Sequence, residues 1–256
     1  MPVSDTTCRL LGVDIVTRSL GELTGEAMAA IERGSGPLIF ACANPHSLVV
    51  AQKDPLFHRA LNSFDHVVAD GTGLVVLGRL TRANIGPRIT GMDYFLSLMT
   101  ALNEVGGKRV FFLGSTDFVL ERIRSRVKRE FPNIAEVGAL SPPFGTWSED
   151  DKKQVNDRIR DFSPDVLWVG MTAPRQEKWM FENRDSLDVS LVGAIGAVFD
   201  FYAGTYRRAP LWMRKFGMEW LFRLILEPRR LWRRNFVSSP QFVVLLLKEK
   251  LFGGKR

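Results

Sequence analysis

An aspartate and an arginine, each set in a glycine-bearing turn, are the residues of this chain best placed to do chemistry. Val67-Val68-Ala69-Asp70-Gly71-Thr72-Gly73 puts a carboxylate where an apolar run gives way to a turn. Gly86-Pro87-Arg88-Ile89-Thr90-Gly91-Met92-Asp93 puts a guanidinium between glycines at the entrance to a helix. A carboxylate at the carboxyl end of a strand can serve as general base toward a hydroxyl. A guanidinium matches phosphate oxygens bidentately. Together they point to chemistry on a phosphorylated substrate. Asp70 has a second reading open to it, as N-cap of the helical stretch that Gly71 begins. Arg88 taken alone reads better as a surface arginine.

Two further loops join apolar runs to helices: Leu113-Gly114-Ser115-Thr116-Asp117 and Val169-Gly170-Met171-Thr172-Ala173-Pro174. Backbone N–H groups in such loops can cradle a diphosphate or a nucleoside, although a single glycine there is a weak signal. Gln176 and Glu177 start the next helix, either as ordinary first-turn residues or as nucleotide contacts. The chain has no G-x-G-x-x-G at a βα turn and no Walker A motif, which counts against dinucleotide dehydrogenases and P-loop NTPases. Without G-x-S-x-G, a hydrolase triad has no local support. There is no D-x-D pair, and His46, His58 and His66 lack partners at metal-ligand spacing. No metal and no cofactor are therefore expected, and His46 and His58 read as structural.

The elements that must position these residues alternate. Apolar runs at 38–43, 66–69, 109–113, 135–140, 165–169 and 190–194 read as strands, most of them covered on both faces. Amphipathic patterns at 20–32, 47–61, 91–105, 117–131, 148–161 and 175–184 read as helices. The rhythm predicts an α/β fold, with a Rossmann-like, mostly parallel sheet and helices on both faces. From residue 207 the pattern is all-helical: 211–227, then 229–236 after Pro228, then 241–252 with Ser239 as N-cap and Pro240 as first helical residue. The chain is thus read as a catalytic domain over 1–206 and a helical appendage over 207–256.

The 256 residues are 45% hydrophobic and 25% charged, enough for a sizeable core. No apolar run approaches the ~20 residues of a membrane span. Met1-Pro2-Val3-Ser4-Asp5 has neither a basic n-region nor an apolar h-region, so no signal peptide is expected. Two cysteines cannot build a disulfide framework, and a reducing cytoplasm is the simple expectation. Residues 1–206 hold 22 Lys/Arg against 25 Asp/Glu, a net −3, whereas residues 207–256 hold 13 against 3, a net +10. Arg207, Arg208 and Arg214 are interleaved there with Trp212, Trp220 and Trp232. Cations with aromatics at helical spacing suit an anionic membrane surface. Packing on the body or between copies is an alternative reading, and nucleic acid a weaker one, since tryptophan stripes add little to phosphate binding.

The ordered blocks resemble the WecG/TagA/CpsF family of bacterial glycosyltransferases. The matching stretches are Asn44-Pro45-His46-Ser47, Ala69-Asp70-Gly71-Thr72-Gly73, Arg88-Ile89-Thr90-Gly91, Phe112-Leu113-Gly114-Ser115, Ser141-Pro142-Pro143-Phe144-Gly145, Gly170 through Glu177, and Gly193 through Asp200, followed by Gly204 and Arg208-Ala209-Pro210. The resemblance implies inverting, metal-independent transfer of a hexose or N-acetylhexosamine from a UDP-sugar to a polyisoprenyl-diphosphate-linked saccharide, in cell-surface polysaccharide synthesis. The enzyme would be cytoplasmic and peripheral, on the inner face of the cytoplasmic membrane. No nucleic acid partner is implied, and a homo-oligomer is compatible. In this reading Asp70 is the base and Arg88 holds the diphosphate. Cys42, Asn44, Gly71, Thr90, Gly114, Ser115, Gly170, Pro174, Gln176, Glu177 and Asp200 bind substrate. Arg207, Arg208, Arg214, Trp212, Trp220 and Trp232 meet the membrane or acceptor. Cys42 stands where members often carry threonine. That departure motivates an alternative, a non-catalytic nucleotide-sugar-binding or scaffold protein of a membrane assembly.

Overall fold

A computed structural model of the chain describes residues 6–34, 36–71, 73–74, 85–206, 209–210, 212–213 and 218–252. Its strands are β1 (Thr7–Leu10), β2 (Val13–Val16), β3 (Leu38–Ala43), β4 (His66–Ala69), β5 (Arg109–Gly114), β6 (Glu136–Leu140), β7 (Val166–Gly170) and β8 (Leu191–Ala194). They form one sheet in the order β1-β2-β4-β3-β8-β7-β5-β6. Only the β1–β2 hairpin at one edge is antiparallel, and every other pairing is parallel. The six parallel strands expected from the sequence are all present, with ends shifted by at most one residue.

The body helices are α1 (Leu20–Arg33), α2 (Pro45–Ala51), α3 (Pro55–Ser63), α4 (Gly91–Val105), α5 (Asp117–Glu130), α6 (Glu149–Phe162), α7 (Arg175–Asn183) and α8 (Val198–Ala203). Helices α1, α4, α5 and α8 bury their apolar stripes on one sheet face. Helices α2, α3, α6 and α7 cover the other. The central strands β3, β4, β7 and β8 are mostly apolar because both faces are buried, whereas the edge strands β1 and β6 carry exposed residues. In β3, Ile39, Ala41 and Ala43 face one core while Phe40 and Cys42 face the other. Phe40 stacks on Tyr94 of α4, ring centroids 3.7 Å apart and 1° from parallel. Tyr94 and Phe95 also meet the edge of Trp168 on β7. These contacts pin α4 across the sheet, so that its N-terminus lands beside Cys42.

Two local expectations are corrected. The pattern over 47–61 is two helices, not one. Pro55 has no N–H to continue the ladder and disfavours helical geometry at the residue before it. Asp54 accordingly takes an extended conformation and caps α3, accepting from the Phe57 N–H at 3.1 Å. Ser239 is not an N-cap. The chain runs from α9 (Glu219–Leu226) and α10 (Pro228–Trp232) through a π-helical segment, Arg233–Ser238, into α11 (Ser239–Phe252) with Ser239 itself helical. Pro240 cannot donate to the carbonyl four residues back, and the ladder widens just before it.

Helix α11 packs on the α2 side of the body. Phe242 is fully buried and Leu246 is 2% exposed, both within the core shared with α2 and α3. Glu249 Oε2 accepts from the Leu11 N–H at 3.1 Å, and His46 Nδ1 is hydrogen-bonded to Ser238 Oγ at 2.8 Å. The strands end before residue 207, but buried contacts cross that position. Phe242→Ala is therefore expected to lower the stability of the whole domain by about 3–5 kcal/mol. Denaturant unfolding monitored by fluorescence and by circular dichroism would read this as one earlier transition. An unchanged midpoint for the sheet would mean that α11 stands apart from the core.

Candidate active site

The carboxyl ends of β4, β3, β8, β7 and β5, with the loops that follow, make one continuous edge. Of the body residues expected at the site, all but Asp200, which lies within the helix after β8, stand at these strand ends or in the loops and helix starts that follow them. Asp70 follows β4, half-buried, and its N–H donates to Ala43 O at 2.8 Å. The Ile89 N–H donates to Ala69 O at 3.1 Å, which lays the 85–90 segment against the end of β4 and brings half-buried Arg88 to the same corner as Asp70. That approach requires glycine at 86: φ is +71°, and a Cβ there would lie 2.5 Å from Thr17 O.

Cys42 forms the floor next to this corner. A Cβ at Gly91, the first residue of α4, would lie 3.7 Å from Cys42 Sγ, so the helix start closes directly over the thiol. Burial, and then the charges of Asp70, Glu177 and Asp93, push the Cys42 thiol well above its usual range. It is a neutral thiol flanked by three acids. Asn44 and Thr90 sit on either side as helix caps. Asn44 Oδ1 accepts from the Ser47 N–H at 3.1 Å, and Thr90 Oγ1 accepts from the Asp93 N–H at 3.2 Å while donating to Asp93 Oδ2 at 2.7 Å. Both caps direct helix N-termini at the edge, where backbone N–H groups favour negative charge.

Further along, Gly114 and Gly170 are paired across β5 and β7. A Cβ at Gly114, φ +126°, would lie 2.5 Å from Gly170 O. From this pair α5 departs over one sheet face and α7 over the other. The two helices thus diverge at a topological switch point, where the ligand crevice of open α/β sheets usually lies. Ser115, at φ +57°, accepts through its carbonyl from Ser141 Oγ at 2.9 Å, which ties this loop to the end of β6. Beyond Gly170 the cis Ala173–Pro174 peptide leads into α7. Gln176 and Glu177, in its first turn, are both buried, and burial pushes Glu177 up to about 7. Asp200 lies in α8, half-buried, where its Oδ1 accepts from Thr205 Oγ1 at 3.4 Å. Gly71 is half-buried beside Asp70, and its carbonyl accepts from the Leu74 N–H at 3.2 Å.

Comparison with known proteins places the chain in a family. The chain matches the Glycosyl transferase WecG/TagA/CpsF family over residues 8–256. It belongs to that family. Among its relatives, a protein of Bacillus spizizenii is 32% identical over 225 residues, covering 88% of this chain and 84% of the relative. One of Bacillus subtilis is 32% identical over 212 residues, covering 83% and 80%. One of Staphylococcus aureus is 26% identical over 242 residues, covering 94% and 92%. All three are named N-acetylglucosaminyldiphosphoundecaprenol N-acetyl-beta-D-mannosaminyltransferase.

In this family member the tail presents aromatic surface. Trp212, Trp220 and Trp232 are 57%, 50% and 45% exposed. Arg207, Arg208 and Arg214 lie outside the described residues. No helix among the described residues is long and apolar enough to cross a membrane. Sequence reasoning gave no role to Asp93, which shapes the edge. Asp93 completes the Thr90 cap and charges the Cys42 pocket, and its signal was the T-x-x-D spacing of a capping box. Gly91 and Gly196, within blocks the sequence singled out, line the edge through close approaches.

Proposed function

We propose that this WecG/TagA/CpsF family member transfers a sugar from a UDP-sugar to a hydroxyl of a polyisoprenyl-diphosphate-linked saccharide, with inversion and without a metal ion. The observation that carries the reading is the placement of Asp70 and Arg88 on the same sheet edge as the Gly114–Gly170 switch point. A crevice at that point suits a nucleoside diphosphate, and the corner suits the reacting sugar. Asp70 takes the proton of the acceptor hydroxyl as its oxygen attacks the anomeric carbon. The bond from that carbon to the UDP oxygen breaks on the opposite side. Arg88 and helix N-terminal N–H groups meet the charge that develops on the leaving diphosphate. One base and one in-line displacement account for inversion. The relatives' names support a lipid-linked acceptor and an N-acetylhexosamine donor.

Metal independence has its support in the donor set. Among the described residues no group of three or more His, Cys, Asp or Glu could hold a metal ion, and the sequence has no D-x-D. The exposed tryptophans and the +10 tail fit a peripheral position on the inner, anionic face of the membrane that carries the acceptor. Arg207, Arg208 or Arg214 would close over the site once the tail is bound. Cys42 keeps the scaffold alternative alive, because a neutral thiol replaces a stronger hydrogen-bonding hydroxyl at the floor.

A screen of UDP-hexoses and UDP-N-acetylhexosamines, with a short-chain polyprenyl-diphosphate-N-acetylglucosamine and anionic vesicles, tests the reading through UDP release. Release with at least one donor, undiminished in EDTA, is expected. UDP binding without release from any donor would favour the scaffold, and loss of release in EDTA would contradict the metal-free mechanism.

A further inference from the structure

Two consecutive polar residues at the start of α7 are buried more deeply than any helix start requires. Gln176 is 6% and Glu177 2% exposed. Gln176 Nε2 donates to Glu177 Oε1 at 2.9 Å. With Glu177 ionised its oxygens only accept, so the amide nitrogen faces Glu177 and the amide oxygen faces away from it. That oxygen, Gln176 Oε1, is buried and has no hydrogen-bond partner among the described residues, and the same holds for Glu177 Oε2. Orphaned buried acceptors cost stability.

The amide lies against the loop after β8, on the edge that carries the site. A Cβ at Gly196 in that loop would lie 3.4 Å from Gln176 Oε1, 3.6 Å from Gln176 Nε2 and 3.3 Å from Met171 O. Gly196, at φ +41°, leaves that space open. Glu177 also lies close enough to Cys42 for its charge to raise the thiol, alongside Asp70. Burial raises Glu177 itself, while the Gln176 amide and a backbone N–H favour its ionised form. The pair is therefore a desolvated, internally aligned unit against the floor of the cleft.

We propose that Glu177 is a positioning residue: by holding the Gln176 amide nitrogen it aims Gln176 Oε1 into the cleft, as a buried acceptor for an N–H or O–H group of the UDP-sugar. This rests on the function proposed above but assigns Glu177 no direct contact with substrate. It acts through Gln176. Without Glu177 the carboxamide is free to rotate by half a turn and present its NH₂ group instead, which repels the ligand donor. Removing either residue then removes the same contact.

Calorimetric titration of the full chain with UDP and with UDP-N-acetylglucosamine tests this without needing turnover. Glu177→Leu is expected to weaken binding of at least one probe 10-fold or more. Glu177→Gln, which keeps a carbonyl acceptor, recovers most of that loss. Gln176→Leu weakens binding to a similar extent, and combining it with Glu177→Leu produces no further loss. A loss with both probes puts the ligand donor on the uridine diphosphate, and a loss confined to the sugar nucleotide puts it on the sugar. Glu177→Met, closer in shape, repeats the reading if the leucine variant does not fold. Binding unchanged within twofold in a folded Glu177→Leu or Glu177→Met variant, or losses that simply add in the double variant, would overturn the proposal while leaving the transferase reading intact. A wild-type chain that binds neither probe would overturn both.

Discussion

Asp70→Asn is expected to cut turnover by about 100- to 10,000-fold while leaving donor affinity within about threefold. The substitution separates the two roles open to this residue. Asparagine caps a helix as well as aspartate does. If Asp70 only capped the turn at Gly71, the variant would keep both its stability and its rate. If Asp70 accepts the acceptor's proton, the uncharged amide cannot, and the rate falls with the fold intact. Steady-state kinetics with the lipid acceptor, beside a thermal melt of the same preparation, read both quantities. The location of Asp70 favours the chemical role. It lies at the end of a fully buried strand, hydrogen-bonded to the end of β3, and its charge acts on the Cys42 pocket.

Arg88→Ala is expected to lower kcat/KM for the donor by about 100- to 1,000-fold, the range typical of a removed oxyanion donor. Arg88→Lys should recover only part of this. An ammonium restores the charge but not the fork that grips two phosphate oxygens. The measurement is kcat and KM in donor for the three proteins at fixed acceptor. Equal activity in all three would place Arg88 among ordinary surface arginines, as its local sequence suggests. The structure gives it a stricter setting than that. Gly86 passes against Thr17 with no room for a side chain, and Ile89 is hydrogen-bonded to the end of β4, so the backbone on both sides of Arg88 is fixed.

The parallel strands at the centre of the sheet were legible because they are buried on both faces and so read as near-continuous apolar runs. The β1–β2 hairpin was not. Its two-residue turn is Leu11-Gly12, with φ of +47° and +75°, where Asn-Gly or Asp-Gly would have been the readable signal. Leucine is held in that left-handed position by contacts remote in sequence. Its side chain is in the core, its N–H donates to Glu249 and its carbonyl accepts from Gln52 Nε2 at 2.6 Å. The tail shows the same limit. Residues 241–252 read as a helix from their pattern, but nothing local told that Phe242 would be fully buried against the α/β body.

The site was legible in parts. Asp70, Gly114 and Gly170 stand at ends of apolar runs, and strand ends can be read. Which ends become neighbours depends on strand order, so the Gly114–Gly170 switch point appears only once β5 and β7 are paired. Asn44 and Thr90 carry recognisable capping boxes, and the structure uses their side chains as caps. The Gln176–Glu177 pair was the least readable. Adjacent residues on a helix do not normally face one another, and their hydrogen bond exists because tertiary burial leaves the carboxylate no water.

The proposed chemistry meets its most direct test in the mass of the lipid product. The full chain is incubated with the donor found by the UDP-release screen, a short-chain polyprenyl-diphosphate-N-acetylglucosamine and EDTA, and the lipid is extracted and weighed by mass spectrometry. The expected result is an acceptor heavier by one sugar residue, with one UDP released per product, and no such species from Asp70→Asn. An unchanged acceptor beside released UDP would mean hydrolysis rather than transfer, and full product from Asp70→Asn would remove Asp70 from the reaction.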